Sequence, residues 1–353
     1  MVQPLIIAHI HVWDKNNKGD LAIVLAVQEL LKKKFKNCRI INFPVEVLKN
    51  YDVKNIQKLN RADLIIMGGG GILYSYFLPF DLRTVGEIKK PFFLLGLGYI
   101  KEVDAPAWSQ DKIKSVVALF DKVKLAGVRD YNTRDFLLKN GVDAKKIKVI
   151  GDPAAFLFEK KPSITKYTKL GLNKRNFKIG LNLNYSGWLG FGKWREDILS
   201  AYREAAEYFQ NELGAEIYYL KHHPGEDNIY PELKIKNLKL VDLKPGEQKY
   251  VYGKMDLVIG MMLHVGVMSF GALTPEISVA YDIRNYGFAD FIGHPELVVD
   301  LDKLKNGELL NRAKMVIGKQ AFYQRKFADK KIKINQSLTS FMEDMKNIGG
   351  KFL

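Results

Sequence analysis

The residues of this chain that could do chemistry fall in short polar or glycine-rich clusters, each placed directly after an apolar run. Asp256-Leu257-Val258-Ile259 leads into Gly260-Met261-Met262-Leu263-His264, and residues 265–271 are small and apolar with helical spacing. A strand that feeds a helix through so tight a turn leaves the first helical N–H groups unpaired at the carboxyl edge of a parallel sheet. A histidine there can point into a cleft and hold or protonate an anionic ligand. Taken alone, His264 is more simply a half-buried first-turn histidine; the other clusters change that balance.

Asn17-Lys18-Gly19-Asp20 precedes a helical pattern. Asn17 or Asp20 could bind sugar hydroxyls or move a proton, and a plain turn with an N-cap uses the same residue types. Gly68-Gly69-Gly70-Gly71 follows the run 64–67. Successive glycines cost backbone entropy, so Gly69 and Gly70 mark a loop that approaches a ligand closely. The run is neither a P-loop nor a GxGxxG fingerprint, so it specifies no nucleotide. Gly96-Leu97-Gly98 repeats the device and suits a bare tight turn equally well.

Gly127-Val128-Arg129-Asp130 sets a cation beside a carboxylate. Arg129 can clamp a carboxylate or phosphate with two parallel bonds, or pair with Asp130 or Asp152 across neighbouring strand ends. Lys221-His222-His223-Pro224 follows another strand-like run. Adjacent histidines point oppositely in an extended chain, which is poor metal geometry, so no metal is expected. One histidine facing the cleft with Lys221 suits an anion.

To position these clusters, the chain must alternate short buried strands with helices. Residues 5–10, 39–43, 64–67, 92–95, 124–128 and 148–150 read as strands, and 21–35, 109–124 and 132–140 as helices, with Ser109 a cap and Gly141 a stop. After a stretch with no period at 160–176, strands recur at 177–184, 216–220, 238–243, 256–260 and 276–280, with a helix at 195–213. This predicts an α/β fold of two doubly wound, Rossmann-like domains, residues 1–160 and 177–308, facing a cleft. Residues 309–353 read as a helical segment that packs back towards the first domain.

At 353 residues the chain is too long for one ordinary core. Hydrophobic residues make up 47% and charged residues 27%, a globular composition. No apolar run reaches the roughly 18 residues that span a bilayer, and the N-terminal run shows no secretory leader. A single cysteine, Cys38, suits a reducing cytoplasm. The net charge of +16 favours anionic partners, among them phosphorylated substrates and the inner face of a membrane as a peripheral contact. Zinc-finger, RNP and basic-heptad patterns are missing, so no nucleic-acid partner is expected.

The ordered set Asn17-x-Gly19-Asp20, the glycine run, Gly96-x-Gly98, Val128-Arg129-Asp130, Gly151-Asp152-Pro153, His223-Pro224 with Asp227, and Gly260-x-x-Leu263-His264 followed by Pro275 and residues 281–288 resembles the polysaccharide pyruvyl transferase family over nearly the whole chain. The resemblance implies a GT-B-like fold with the acceptor on the first domain and the donor on the second. It implies transfer of the enolpyruvyl unit of phosphoenolpyruvate, a co-substrate with no further cofactor, onto two hydroxyls of a glycan or lipid-linked oligosaccharide. Such chemistry needs an acid, a base and cations. His264 and Asp20 are then the catalytic candidates. Asn17, Gly19, Gly69, Gly70, Arg129, Lys221, His223, Leu263 and Arg284 are the candidates for substrate binding.

Two positions depart from the family pattern. Met262 stands where the family usually carries an arginine in Gly-x-Arg-Leu-His, and Arg284 stands where it tends to have a lysine. A methionine donates no hydrogen bond, so another cation must serve, with Arg284 offered from a neighbouring strand end. Gly96-Leu97-Gly98 also lacks the glutamine often found there. The alternatives are a nucleotide-sugar glycosyltransferase of GT-B type and a non-catalytic relative.

Overall fold

The computed structural model describes residues 3–12, 14–69, 72–74, 78–101, 105–184 and 191–351. Its first half runs β1 (Leu5–His11), α1 (Lys18–Lys34), β2 (Cys38–Pro44), α2 (Val53–Asn60), β3 (Leu64–Met67), β4 (Leu73–Tyr74), α3 (Leu82–Gly86), β5 (Phe92–Leu97), β6 (Tyr99–Ile100), α4 (Gln110–Lys122), β7 (Leu125–Val128), α5 (Tyr131–Lys139) and β8 (Ile147–Val149). Six strands form a parallel sheet in the order β2-β1-β3-β5-β7-β8. Its central strands are buried on both faces, which is why they are unbroken apolar runs rather than alternating ones.

The second half runs α6 (Ile164–Lys169), β9 (Lys178–Leu181), α7 (Phe191–Leu213), β10 (Glu216–Leu220), β11 (Lys239–Val241), α8 (Pro245–Tyr252), β12 (Leu257–Gly260), α9 (Leu263–Gly271), β13 (Glu276–Ala280), α10 (Ile283–Ile292), β14 (Val298–Asp300), α11 (Glu308–Gly318) and α12 (Gln320–Gly350). Its parallel sheet has the order β11-β10-β9-β12-β13-β14, the doubly wound arrangement of dinucleotide folds.

In each sheet the strand order reverses once, between β1 and β3 in the first and between β9 and β12 in the second. Loops diverge at such a point and leave a crevice at the carboxyl edge. The segments that leave those edges include Asn17-Lys18-Gly19-Asp20, Gly68-Gly69 and Met261 to His264.

Two stretches that the sequence leaves coarse gain detail. Within residues 160–176, Ser163 caps the short helix α6 through its hydroxyl at 3.4 Å from Lys166 N. One capped turn needs no apolar period, so periodicity misses it. The C-terminal stretch is two helices, parted after Gly318. Helix α12 reaches the first sheet, where Asp344 pairs with Lys148, Glu343 pairs with Lys34, and Phe341 lies over Gly127.

The crossing between the sheets is a 3-10 turn, Pro153–Phe156, packed between α1 and α9. Lys249 of α8, 1% exposed, donates from Nζ to Ala155 O at 2.8 Å and Leu157 O at 2.7 Å. Phe158 N donates to Glu29 and Lys160 N to Gly246 O. Among the described residues, no helix is long and apolar enough to cross a membrane.

Candidate active site

The imidazole of His264 sits in the first turn of α9, whose N-cap, Met262, is buried and supplies no side-chain cap. The turn is tied down by Asn182 beyond β9. Its amide donates to Leu220 O and to Glu226, and its Oδ1 accepts from Met262 N at 3.4 Å. Leu263 is buried as the first helical residue. Across the crevice, Asn17 caps α1 by accepting from Gly19 N at 2.9 Å and Asp20 N at 3.3 Å. Gly19 then lies directly against the imidazole, and a β-carbon built there would fall 2.3 Å from His264 Nδ1. Both helix starts thus converge on one ring.

Behind that ring is a buried group of charges. Asp152 Oδ2 lies 3.7 Å from His264 Nε2 and 3.7 Å from Arg129 Nη1. Arg129 Nε reaches Asp130 at 3.4 Å, and its guanidinium lies flat over Gly98, where a β-carbon would meet Nη2 at 2.1 Å. Arg129 Nη2, His264 Nε2 and Arg284 Nε are buried with no hydrogen-bond partner among the described residues. Arg284 is held by Asp282 at 2.7 Å. It follows the end of β13, the neighbouring strand end from which the sequence offers it, in the first turn of α10 behind its N-cap, Asp282.

The electrostatics follow from this crowding. Burial pushes the Asp20 carboxyl up to about 7, helped by Asp14 and Asp152 and opposed by Arg284 and Arg129. Burial, then the charges of Arg129 and Arg284, hold the His264 imidazole well below its ordinary range. Near neutral pH the ring is therefore uncharged and Asp20 is poised to take or give a proton.

Lys221 and His223 lie on the other side of the first turn of α1. They border a cavity of about 450 Å³ shared by both halves of the chain. Lys221 is held by Asp227 at 2.7 Å and Asp242 at 3.3 Å. Lys18 spans the halves, bonding Asp242 at 2.6 Å and Lys221 O at 2.7 Å. Of the two histidines, His222 is fully buried on Tyr252 OH at 2.6 Å, whereas His223 faces this cavity and caps the turn that follows it.

Gly69, with φ of +103°, lets the loop after β3 settle against Ile23 and Val24 of α1. Gly70 lies outside the described residues. The sequence reading omitted Glu226, whose carboxylate accepts from His222 N and His223 N and which burial pushes up to about 8. It named Asp152 only as a pairing partner of Arg129, a pairing that the structure shows, and it gave no role to Asn182 or Lys18. A polar pair, Asn182 and Asn184, closing the otherwise apolar strand run was the available signal. Among the described residues, no three His, Cys, Asp or Glu side chains are grouped so as to hold a metal ion.

Comparison with known proteins places the family and the fold. A family model described as polysaccharide pyruvyl transferase matches residues 17–283. Among solved structures, the Anabaena protein HepE in complex with UDP and glucose superposes with a TM-score of 0.59 at 13% identity, covering 98% of this chain and 100% of that one. The UDP-GlcNAc 2-epimerase of Methanocaldococcus jannaschii, in complex with UDP-GlcNAc and UDP, gives a TM-score of 0.59 at 11% identity, covering 89% and 93%. At such identities the likeness is one of fold, two Rossmann-like sheets in a GT-B-like pair.

Proposed function

The chain belongs to the polysaccharide pyruvyl transferase family, and from that premise we propose that it moves the enolpyruvyl unit of phosphoenolpyruvate onto a sugar of a cell-surface polysaccharide or its lipid-linked precursor. One sugar hydroxyl adds to C2 of the enol phosphate as C3 gains a proton. The second hydroxyl then displaces phosphate, closing the ketal.

The observation that carries this reading is the buried imidazole pressed against Gly19, with Arg129 and Arg284 in the same charge group. An incoming carboxylate and phosphate would meet the unpaired nitrogens of these three side chains. The anion would also relieve the repulsion between the two guanidiniums and the ring, raising the affinity of His264 for a proton. His264 is thereby suited to deliver the proton to C3 or the phosphate. Asp20, poised near 7, is suited to accept one from the sugar hydroxyl. Arg284 supplies part of the charge of the arginine that Met262 replaces. The work would take place at the inner face of the membrane, where the basic surface meets anionic headgroups.

Purified protein given phosphoenolpyruvate and a glycan acceptor panel should release phosphate and add one pyruvyl ketal to the glycan. His264→Ala should cut the rate by about 10²–10⁴. No phosphate release with any acceptor would overturn the reading. A nucleotide-sugar glycosyltransferase is the second reading, favoured by the cavity beside the site and by the UDP held in the two fold relatives. Thermal stabilisation by UDP-, GDP- or CMP-sugars but not by phosphoenolpyruvate would select it.

A further inference from the structure

We propose that the chain docks on an anionic lipid bilayer through one face, built from the segment that crosses between the sheets, the outer side of α1 and the middle of α12. The docking goes beyond the transfer reading and does not depend on its chemistry. Among the described residues, the most exposed large apolar side chains are Phe158 and Ile164, each 72% exposed, and Ile332 at 59%. Single exposed apolar residues are ordinary on any surface, so their grouping is what matters. Phe158 lines a groove of about 430 Å³ with Phe156, with Leu30 and Lys33 of α1, and with Asn335 of α12. Ile332 stands one turn before Asn335 on the same side of that helix.

The crossing segment runs beside α1. Glu29 accepts from Phe158 N at 2.9 Å, and Lys166, eight residues on, lines one cavity with Lys18 and Leu21. Leu25, one turn from both Leu21 and Glu29, is 39% exposed on the same side of the helix. Ile164 opens α6 between Phe158 and Lys166, behind the cap Ser163. These exposures are built into a fixed backbone. Lys249 holds the carbonyls of Ala155 and Leu157, Lys160 N donates to Gly246 O, and Leu157 and Pro162 are buried. A pinned chain thus presents two large apolar side chains to water.

Charge selects the partner. Residues 157–169 carry Lys160, Lys161, Lys166 and Lys169 against Glu159 alone, and α1 ends in Lys32-Lys33-Lys34, of which Lys33 lines the groove. Apolar tips among lysines match a bilayer with anionic headgroups, because the tips enter the acyl boundary while the ammonium groups stay among the phosphates. A second copy seated on this face would set like charges against each other across a two-fold axis. The placement also serves the site. Leu25 lies six residues, about 9 Å of helix, beyond Gly19 and its contact with His264. Docking here holds that crevice close to the headgroup layer.

Co-sedimentation of the full-length protein with vesicles tests the assignment without donor or acceptor. Phosphatidylcholine vesicles with about 30% phosphatidylglycerol should bind it at least about tenfold more strongly than phosphatidylcholine alone, and about 0.5 M salt should weaken that binding. Phe158→Asp and Ile164→Asp should each cut it by about tenfold, and the pair Lys160→Glu with Lys161→Glu by a similar factor. Val53→Asp should leave it unchanged, since α2 packs into the other core of the first sheet and Val53 is 51% exposed there. Binding that is absent, equal on the two vesicle types, or indifferent to Phe158→Asp or to Ile164→Asp overturns the docking face. A dimer in light scattering that Phe158→Asp splits overturns it too, and gives the face to a second copy. The two proposals fail separately. Vesicle binding that needs these residues, without consumption of phosphoenolpyruvate, would sink ketal transfer and keep the docking face. Ketal formation by a protein that ignores vesicles would do the reverse.

Discussion

His264 occupies the space that a side chain at position 19 would need, since a β-carbon on Gly19 would lie 2.3 Å from Nδ1 of the imidazole. The two residues lie at the starts of two helices that follow strands of different sheets. A residue type in one half of the chain is thus dictated by a ring in the other.

Gly19→Ala follows directly. Within a helix, alanine is worth about 0.5–1 kcal/mol over glycine, so a protein limited only by local propensity would gain stability. Here the methyl must displace the ring. Ketal formation should fall by about 10²-fold or more while the variant stays folded, as thermal melts and phosphate release would show together. Unaltered activity would contradict the contact.

Asp20 gives a prediction with a definite sign. Its carboxyl is pushed up to about 7 from the ordinary 3.8, so between those values the folded chain holds a proton that the unfolded chain has lost. Stability attributable to Asp20 therefore falls as pH rises from about 4 to 7. Asp20→Asn removes this loss. The difference in unfolding free energy between variant and wild type should grow across that window to about 1–3 kcal/mol at pH 8, and the variant should be inactive. Taking the difference between the two proteins cancels the opposite trend from His9, His222 and His264, all held below their usual range by burial.

Met262→Arg tests whether donor affinity is limited by the missing family arginine. The side chain would start at the N-cap of α9, one residue before Leu263. Its charge would join Arg129 and Arg284, so the free protein should lose stability and the complex with phosphoenolpyruvate should regain it. The KM for phosphoenolpyruvate should drop by about tenfold. A KM that stays constant would mean that Arg284 already meets the need.

Lys249→Met probes the crossing between the sheets. Burial holds this amine at about 7 rather than 10.5, so the unfolded chain binds the extra proton between those values and the lysine's contribution to stability rises with pH across that range. Removing it strands the carbonyls of Ala155 and Leu157. Denaturant titration should find a loss of about 2–4 kcal/mol at pH 9, shrinking towards pH 7.

Much of this was legible from residue order because parallel strands buried on both faces are continuous apolar runs. The strand predicted at 216–220 coincides with β10. The start of α9 could be read from Gly260 and His264, since a tight turn after a strand leaves little choice. What could not be read depends on partners distant in the chain. Lys18 looks like a solvated helix residue until Asp242 is brought to it, and Lys249 looks equally exposed until residues 155–157 cover it. Arg284 could be set after the strand at 276–280, but not in the first turn of a helix, because Asp282, the cap that starts α10, reads equally well as a turn residue.

The pinned segment at 153–160 also bears on how large molecules are admitted. Any swing of one sheet against the other about this segment would have to break the two bonds from Lys249, the bond from Phe158 to Glu29 and the bond from Lys160 to Gly246. The spacing of the two sheets is therefore set when the chain folds, and opening it wider would cost all four of these bonds.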